Sequence, residues 1–96
     1  MFIVLLEYIR PLEEIDALIP LHRAYLQRHY ASGHFLMSGR REPRTGGVIL
    51  ASVPSRTQLE QILQEDPFHQ AGVVRYEVLE FVPTMTHKGL EAWQQA

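Results

Sequence analysis

The sequence predicts an α+β domain of the ferredoxin-like type, βαββαβ, with one antiparallel sheet and its helices on a single face. Three observations lead there. Short apolar runs and helix-period segments follow one another as strand–helix–strand–strand–helix–strand. The chain has 96 residues, room for one core and not two. Hydrophobic residues make up 46% and charged residues 21%, the balance of a folded protein rather than a disordered one.

The first strand is Phe2-Ile3-Val4-Leu5-Leu6-Glu7-Tyr8, apolar at both alternating positions and so suited to burial on both sides. Arg10-Pro11 ends it. Pro11 suits the first turn of a helix over Leu12 to Leu18, with Glu13, Glu14 and Asp16 near its positive end. Pro20 removes a helical hydrogen bond, so a kink or restart is expected there, followed by helix to about Ser32 and a Gly33 cap. His34 to Ser38 reads as a strand ending at Gly39, and Arg40 to Gly47 as a basic loop. Val48 to Val53 is the third strand. Ser55, with Gln58 three residues on, has the spacing of a capping box, and the helix it opens aligns Leu59, Ile62 and Leu63 before stopping at Asp66-Pro67. After Gly72 the last strand runs from Val73 to Val82, with Val74, Tyr76 and Val78 on one face. Residues 1–83 form the domain, and 84–96 a C-terminal extension with a short amphipathic turn around Leu90 and Trp93.

Two helices cover one face of a sheet, yet the first strand is apolar on both. A second copy of the chain is the natural cover, so a homodimer or a higher assembly of dimers is expected.

Composition narrows the function. Nine basic against eleven acidic residues give a net charge of −2, with no electrostatic pull toward nucleic acid or an anionic membrane. The absence of cysteine excludes a disulfide frame, a thiolate zinc site and a cysteine nucleophile. The apolar start, Phe2 to Leu6, is too short to span a bilayer and lacks a basic flank, so a cytoplasmic protein is expected. Gly46-Gly47 lacks the strand-to-helix setting of a phosphate loop, and no cofactor motif is present.

His22 falls on the helix face that carries Leu18, Tyr25, Leu26 and His29, the face turned to the sheet. An imidazole there needs a partner for its ring N–H. Asp66 is the candidate: a carboxylate against an imidazole sets the tautomer and stabilises the protonated ring. A purely structural histidine, with Asp66 only a turn residue before Pro67, fits the same pattern, because spacing alone cannot bring together two residues 44 apart. His29, seven residues after His22 on the same helix face, and His34 are the histidines that could join it around a metal, but no carboxylate stands at ligand spacing, so no metal site is expected. Arg40, Arg41 and Arg44 form a basic run that suits an anionic ligand or a solvated loop, and Arg10 is similarly placed. The Tyr25 hydroxyl is a candidate to reach the cleft.

Leu21-His22-Arg23-Ala24-Tyr25-Leu26, Gly33 to Gly39, Gly46-Gly47-Val48 and Asp66-Pro67-Phe68-His69-Gln70-Ala71-Gly72-Val73 together resemble the YCII-related (YciI-like) family. The Asp-Pro-Phe-x-x-Ala-Gly run is the most specific piece, and the resemblance spans about residues 1–83. It implies a dimeric ferredoxin-like α/β barrel with a His–Asp active site, the histidine matching His22 and the aspartate Asp66. Ser38 would border the same cleft. Arg40 departs from the pattern, since many relatives carry proline there.

The expected function is a cofactor-independent acid–base enzyme of lyase, isomerase or dehydrohalogenase type acting on a small molecule. His22 and Asp66 would be catalytic, with Ser38, Arg40, Tyr25 and Arg10 binding substrate. The alternative is a metabolite-binding or oligomer-forming module of the same fold without catalysis.

Overall fold

The computed structural model describes residues 1–95. Four strands, β1 (Phe2–Tyr8), β2 (Phe35–Arg40), β3 (Gly46–Ala51) and β4 (Val74–Glu80), form one antiparallel sheet in the order β2-β3-β1-β4. Helix α1 (Leu12–Ala31) joins β1 to β2, and α2 (Arg56–Gln64) with the four-residue α3 (Pro67–Gln70) joins β3 to β4. This is the ferredoxin-like α+β arrangement.

Register explains the placement of the core. Val4 pairs with Ile49 and Val78, and Leu6 with Gly47 and Tyr76, so these residues share one face. Ile15 and Tyr25 of α1, Leu59, Ile62 and Leu63 of α2, and Phe68 of α3 close over it. The opposite face carries Ile3, Leu5, Leu50 and Leu79, and Leu79 is 57% exposed. Ile3, Leu5 and Leu50 are partly exposed, so an apolar strip on this face is left incompletely covered in the single chain.

Several elements differ from the expectation. Helix α1 is one element of 20 residues that continues through Pro20. Proline forfeits a single main-chain bond, and Pro20 lies on the exposed side, where water can satisfy the freed Asp16 carbonyl. Strand β2 extends to Arg40 with an irregularity between Phe35 and Met37, and β3 starts at Gly46, two residues early. That start demands glycine: a Cβ on Gly46 would lie 1.7 Å from the Leu6 carbonyl oxygen. The expected turn near Leu90 and Trp93 is a 3₁₀ turn, Glu91–Trp93.

Two chain reversals fix the side chains discussed below. Gly33, at φ +81°, closes α1: its N–H donates to the Tyr30 carbonyl and that of His34 to the His29 carbonyl. The Ser55 hydroxyl accepts the Gln58 N–H at 3.1 Å and caps α2, as its spacing suggested.

Candidate active site

Asp66 has no exposed surface. A buried carboxylate persists only if its oxygens are filled, and three donors fill these. Asp66 is the N-cap of α3, with Pro67 in the first turn, and its Oδ1 accepts the Phe68 N–H at 2.9 Å. The same oxygen lies 2.8 Å from His22 Nδ1. The Tyr76 hydroxyl donates to Oδ2 at 2.7 Å. Pro67 and the cap therefore do more than turn the chain: they aim the carboxylate at α1 while β4 supplies a hydroxyl from below.

An ionised carboxylate can only accept, so His22 Nδ1 carries the proton and Nε2 carries the lone pair. Nε2 has no hydrogen-bond partner among the described residues, and no buried polar side-chain atom there lacks a partner, so Nε2 retains contact with solvent. The imidazole stacks on Phe68 with ring centroids 4.0 Å apart and planes 11° apart. Stack and hydrogen bond together fix both the tilt and the rotation of the ring.

His22 forms part of the wall of a cavity of about 730 Å³. Leu6, Ile19, Leu26 and Phe68 give it apolar walls, and Arg23, Arg40 and Arg44 stand among its polar lining. The volume suits a small organic molecule. Arg44 is hydrogen-bonded to Asp16, which raises the guanidinium pKa further. The two tyrosines nearest Asp66 are both held neutral above the ordinary tyrosine range, foremost by burial and then by the Asp66 charge.

Of the residues expected at the site, His22, Ser38 and Arg40 line the cavity, and Asp66 stands directly behind His22. Two lie elsewhere. The Tyr25 hydroxyl is buried and donates to the Ile62 carbonyl at 2.9 Å, linking α1 to α2 inside the core, so it does not reach the cleft. Arg10 faces Glu14 at 3.1 Å, one helical turn along the surface, and takes no part in the cavity wall. Ser38 is engaged by the Tyr30 hydroxyl, a partner the sequence reading missed. Tyr76 was also missed as a site residue, although its alternation with Val74 and Val78 put it on the correct face.

His29 is buried on the far side of Tyr25. Its Nε2 donates to Glu65 at 3.1 Å, and its Nδ1 meets His34 Nδ1 at 3.1 Å. His22 and His29 thus turn to different partners, and among the described residues no group of three or more His, Cys, Asp or Glu side chains is arranged to hold a metal. No helix among them is long and apolar enough to cross a membrane.

The family model of the YCII-related domain matches residues 1–82. No curated protein is similar enough to the chain to be matched to it. Among solved structures, 5-chloro-2-hydroxyhydroquinone dehydrochlorinase (TftG) from Burkholderia phenoliruptrix, in complex with 2,5-dihydroxybenzoquinone, superposes with a TM-score of 0.71. It is 20% identical, and the alignment covers 84% of this chain and 93% of that one. Similarity at that level of identity establishes a shared fold.

Proposed function

The chain belongs to the YCII-related domain family, and on that footing we propose that it is a cofactor-independent acid–base enzyme acting on a small organic molecule. One observation carries the reading. Asp66, sealed from solvent, holds His22 Nδ1 at 2.8 Å and leaves Nε2 as the free nitrogen of a residue that lines the cavity.

His22 Nε2 takes a proton from the bound substrate. Positive charge then develops on the imidazole, 2.8 Å from the Asp66 carboxylate, which stabilises it. The Phe68 N–H and the Tyr76 hydroxyl keep that carboxylate fixed in place and spare it reorganisation during the transfer. With the Tyr30 hydroxyl donating to it, the Ser38 hydroxyl keeps its own proton to donate to negative charge developing on the substrate. Lyase, isomerase or dehydrohalogenase chemistry fits this equipment. Loss of HCl, the reaction in the structural neighbour's name, requires such a base for the departing proton. The ligands on this reading are a small organic molecule and a second copy of the chain, which covers the apolar sheet face.

The first test uses 2,5-dihydroxybenzoquinone as a binding probe in a thermal-shift titration. Chlorinated hydroxyhydroquinones then serve as substrates for chloride release. Release by the wild type, reduced about 10²–10⁴-fold in His22→Ala, supports the enzyme. Binding without turnover supports the non-catalytic binding module, and turnover unchanged in a folded His22→Ala protein removes His22 as the base.

A further inference from the structure

Three arginines from separate elements meet at the cavity: Arg23, next to His22 on α1; Arg40, the last residue of β2; and Arg44, in the β2–β3 loop. Carboxylates answer two of them. Arg44 is paired with Asp16, and Arg40 faces Glu42 at 3.0 Å. Arg23 has no ion pair and no hydrogen bond among the described residues, and it is exposed. One positive charge is therefore uncompensated beside His22, in a chain whose net charge is −2. The nearest negative group behind the histidine, Asp66, is wholly buried with both oxygens occupied. The walls between are apolar, from Leu6, Ile19, Leu26 and Phe68.

A cavity with apolar walls and one lining arginine that no carboxylate answers selects a ligand that is largely apolar and carries negative charge. The guanidinium presents parallel N–H donors that match two oxygens of an oxyanion. From this we propose that the cavity takes an organic oxyanion (a carboxylate, phenolate or enolate) and that Arg23 is its anchoring residue. The proposal rests on the cavity being the functional site. It names the substrate class and makes Arg23 the specificity-determining residue. Anchoring the anionic group at Arg23 holds the molecule in the cavity that His22 also lines. The neighbouring positive charge also favours any further negative charge that forms when His22 removes a proton.

The test is isothermal titration with three probes: 2,5-dihydroxybenzoquinone, whose hydroxyls ionise to an enolate; 2,5-dihydroxybenzoate, a carboxylate; and 2,5-dimethoxybenzoquinone, which cannot ionise. Wild type, Arg23→Gln and Arg10→Gln are compared, Arg10 being the control outside the cavity. At least one anionic probe should bind tenfold or more tighter than the neutral one, and added NaCl should weaken only the anion. Arg23→Gln should lose about tenfold in affinity for that anion, leave the neutral probe unchanged and keep the wild-type thermal transition, since Arg23 is exposed and unpaired. Which anion responds distinguishes enolate from carboxylate. Equal binding of neutral and anionic probes, an Arg23→Gln affinity equal to wild type, or no binding of any probe at millimolar concentration overturns the proposal. An anion preference that depends on Arg23 in a protein without turnover keeps this inference and removes the acid–base one. Turnover that depends on His22 with no anion preference does the reverse.

Discussion

Replacing Tyr76 by phenylalanine removes one oxygen and leaves the ring, so it isolates the hydroxyl that donates to Asp66 Oδ2 at 2.7 Å. A hydrogen bond to a charged group contributes about 1.5–3 kcal/mol, and here the acceptor belongs to a carboxylate with no access to water. At neutral pH the variant should lose about 2 kcal/mol, a fall in Tm on the order of 10 °C for a domain of this size. The same hydroxyl gives a second signature at high pH. Burial, and after it the Asp66 charge, raises the folded-state pKa of Tyr76 above its ordinary value near 10, and burial acts likewise on Tyr25. A raised pKa means the stabilisation is complete below pH 10 and is lost above it, where the unfolded tyrosines ionise and the folded ones do not. Each such tyrosine contributes a decline of about 1.4 kcal/mol per pH unit. The wild type carries two, and Tyr76→Phe removes one. Urea unfolding between pH 7 and 11.5, with the variant subtracted from wild type, should therefore show a constant gap below pH 10 that narrows by about 1.4 kcal/mol per unit above it. A variant as stable as wild type at pH 7, or a gap that does not narrow, refutes the account of Tyr76 as the buried donor to Asp66.

Losses at His22 and Asp66 should not add: in the chloride-release assay the double mutant His22→Ala/Asp66→Asn should be little slower than His22→Ala alone, because the two act as a unit. Multiplying penalties would separate their roles. Gly46→Ala should unfold or markedly destabilise the domain, since its Cβ would overlap the Leu6 carbonyl; a thermal transition within 2–3 °C of wild type, on the order of a few tenths of a kcal/mol, would contradict that close approach. Sedimentation at micromolar concentration should give at least twice the 11.1 kDa chain mass, because the face carrying Ile3, Leu5 and Leu50 needs a cover. A clean monomer with a cooperative transition would remove the dimer.

The parts of the fold that were legible in the sequence are those written in local chemistry. Short apolar runs between Gly and Pro breakers gave the strands and their sequence along the chain, Ser55 and Gln58 gave the start of α2, and Gly33 gave the end of α1. Pro20 misled because the penalty of one missing hydrogen bond is small beside the burial of Ile15 and Tyr25 on either side of it. The site was legible in half. His22 sat on the sheet-facing side of α1 by periodicity, and Asp66 stood out before Pro67, but their meeting at 2.8 Å is a tertiary fact that no spacing contains. Tyr25 and Tyr30 show the same limit. Both are on α1, and only packing decides that Tyr25 turns to the Ile62 carbonyl while Tyr30 reaches Ser38. The short helix α3 escaped notice because four residues are too few for a period. Its cap, rather than its length, is what aims Asp66.

The proposed chemistry requires Asp66 to fix His22 with its proton on Nδ1 and a free base on Nε2, in the wall of the cavity. Long-range ¹H–¹⁵N correlation spectra of the histidine rings measure this directly at a pH where His22 is neutral. The wild type should show the Nδ1–H tautomer for His22, with that preference lost or weakened in Asp66→Asn. An Nε2–H tautomer in the wild type would put the lone pair on the buried side, leave the cavity without a base, and contradict the mechanism.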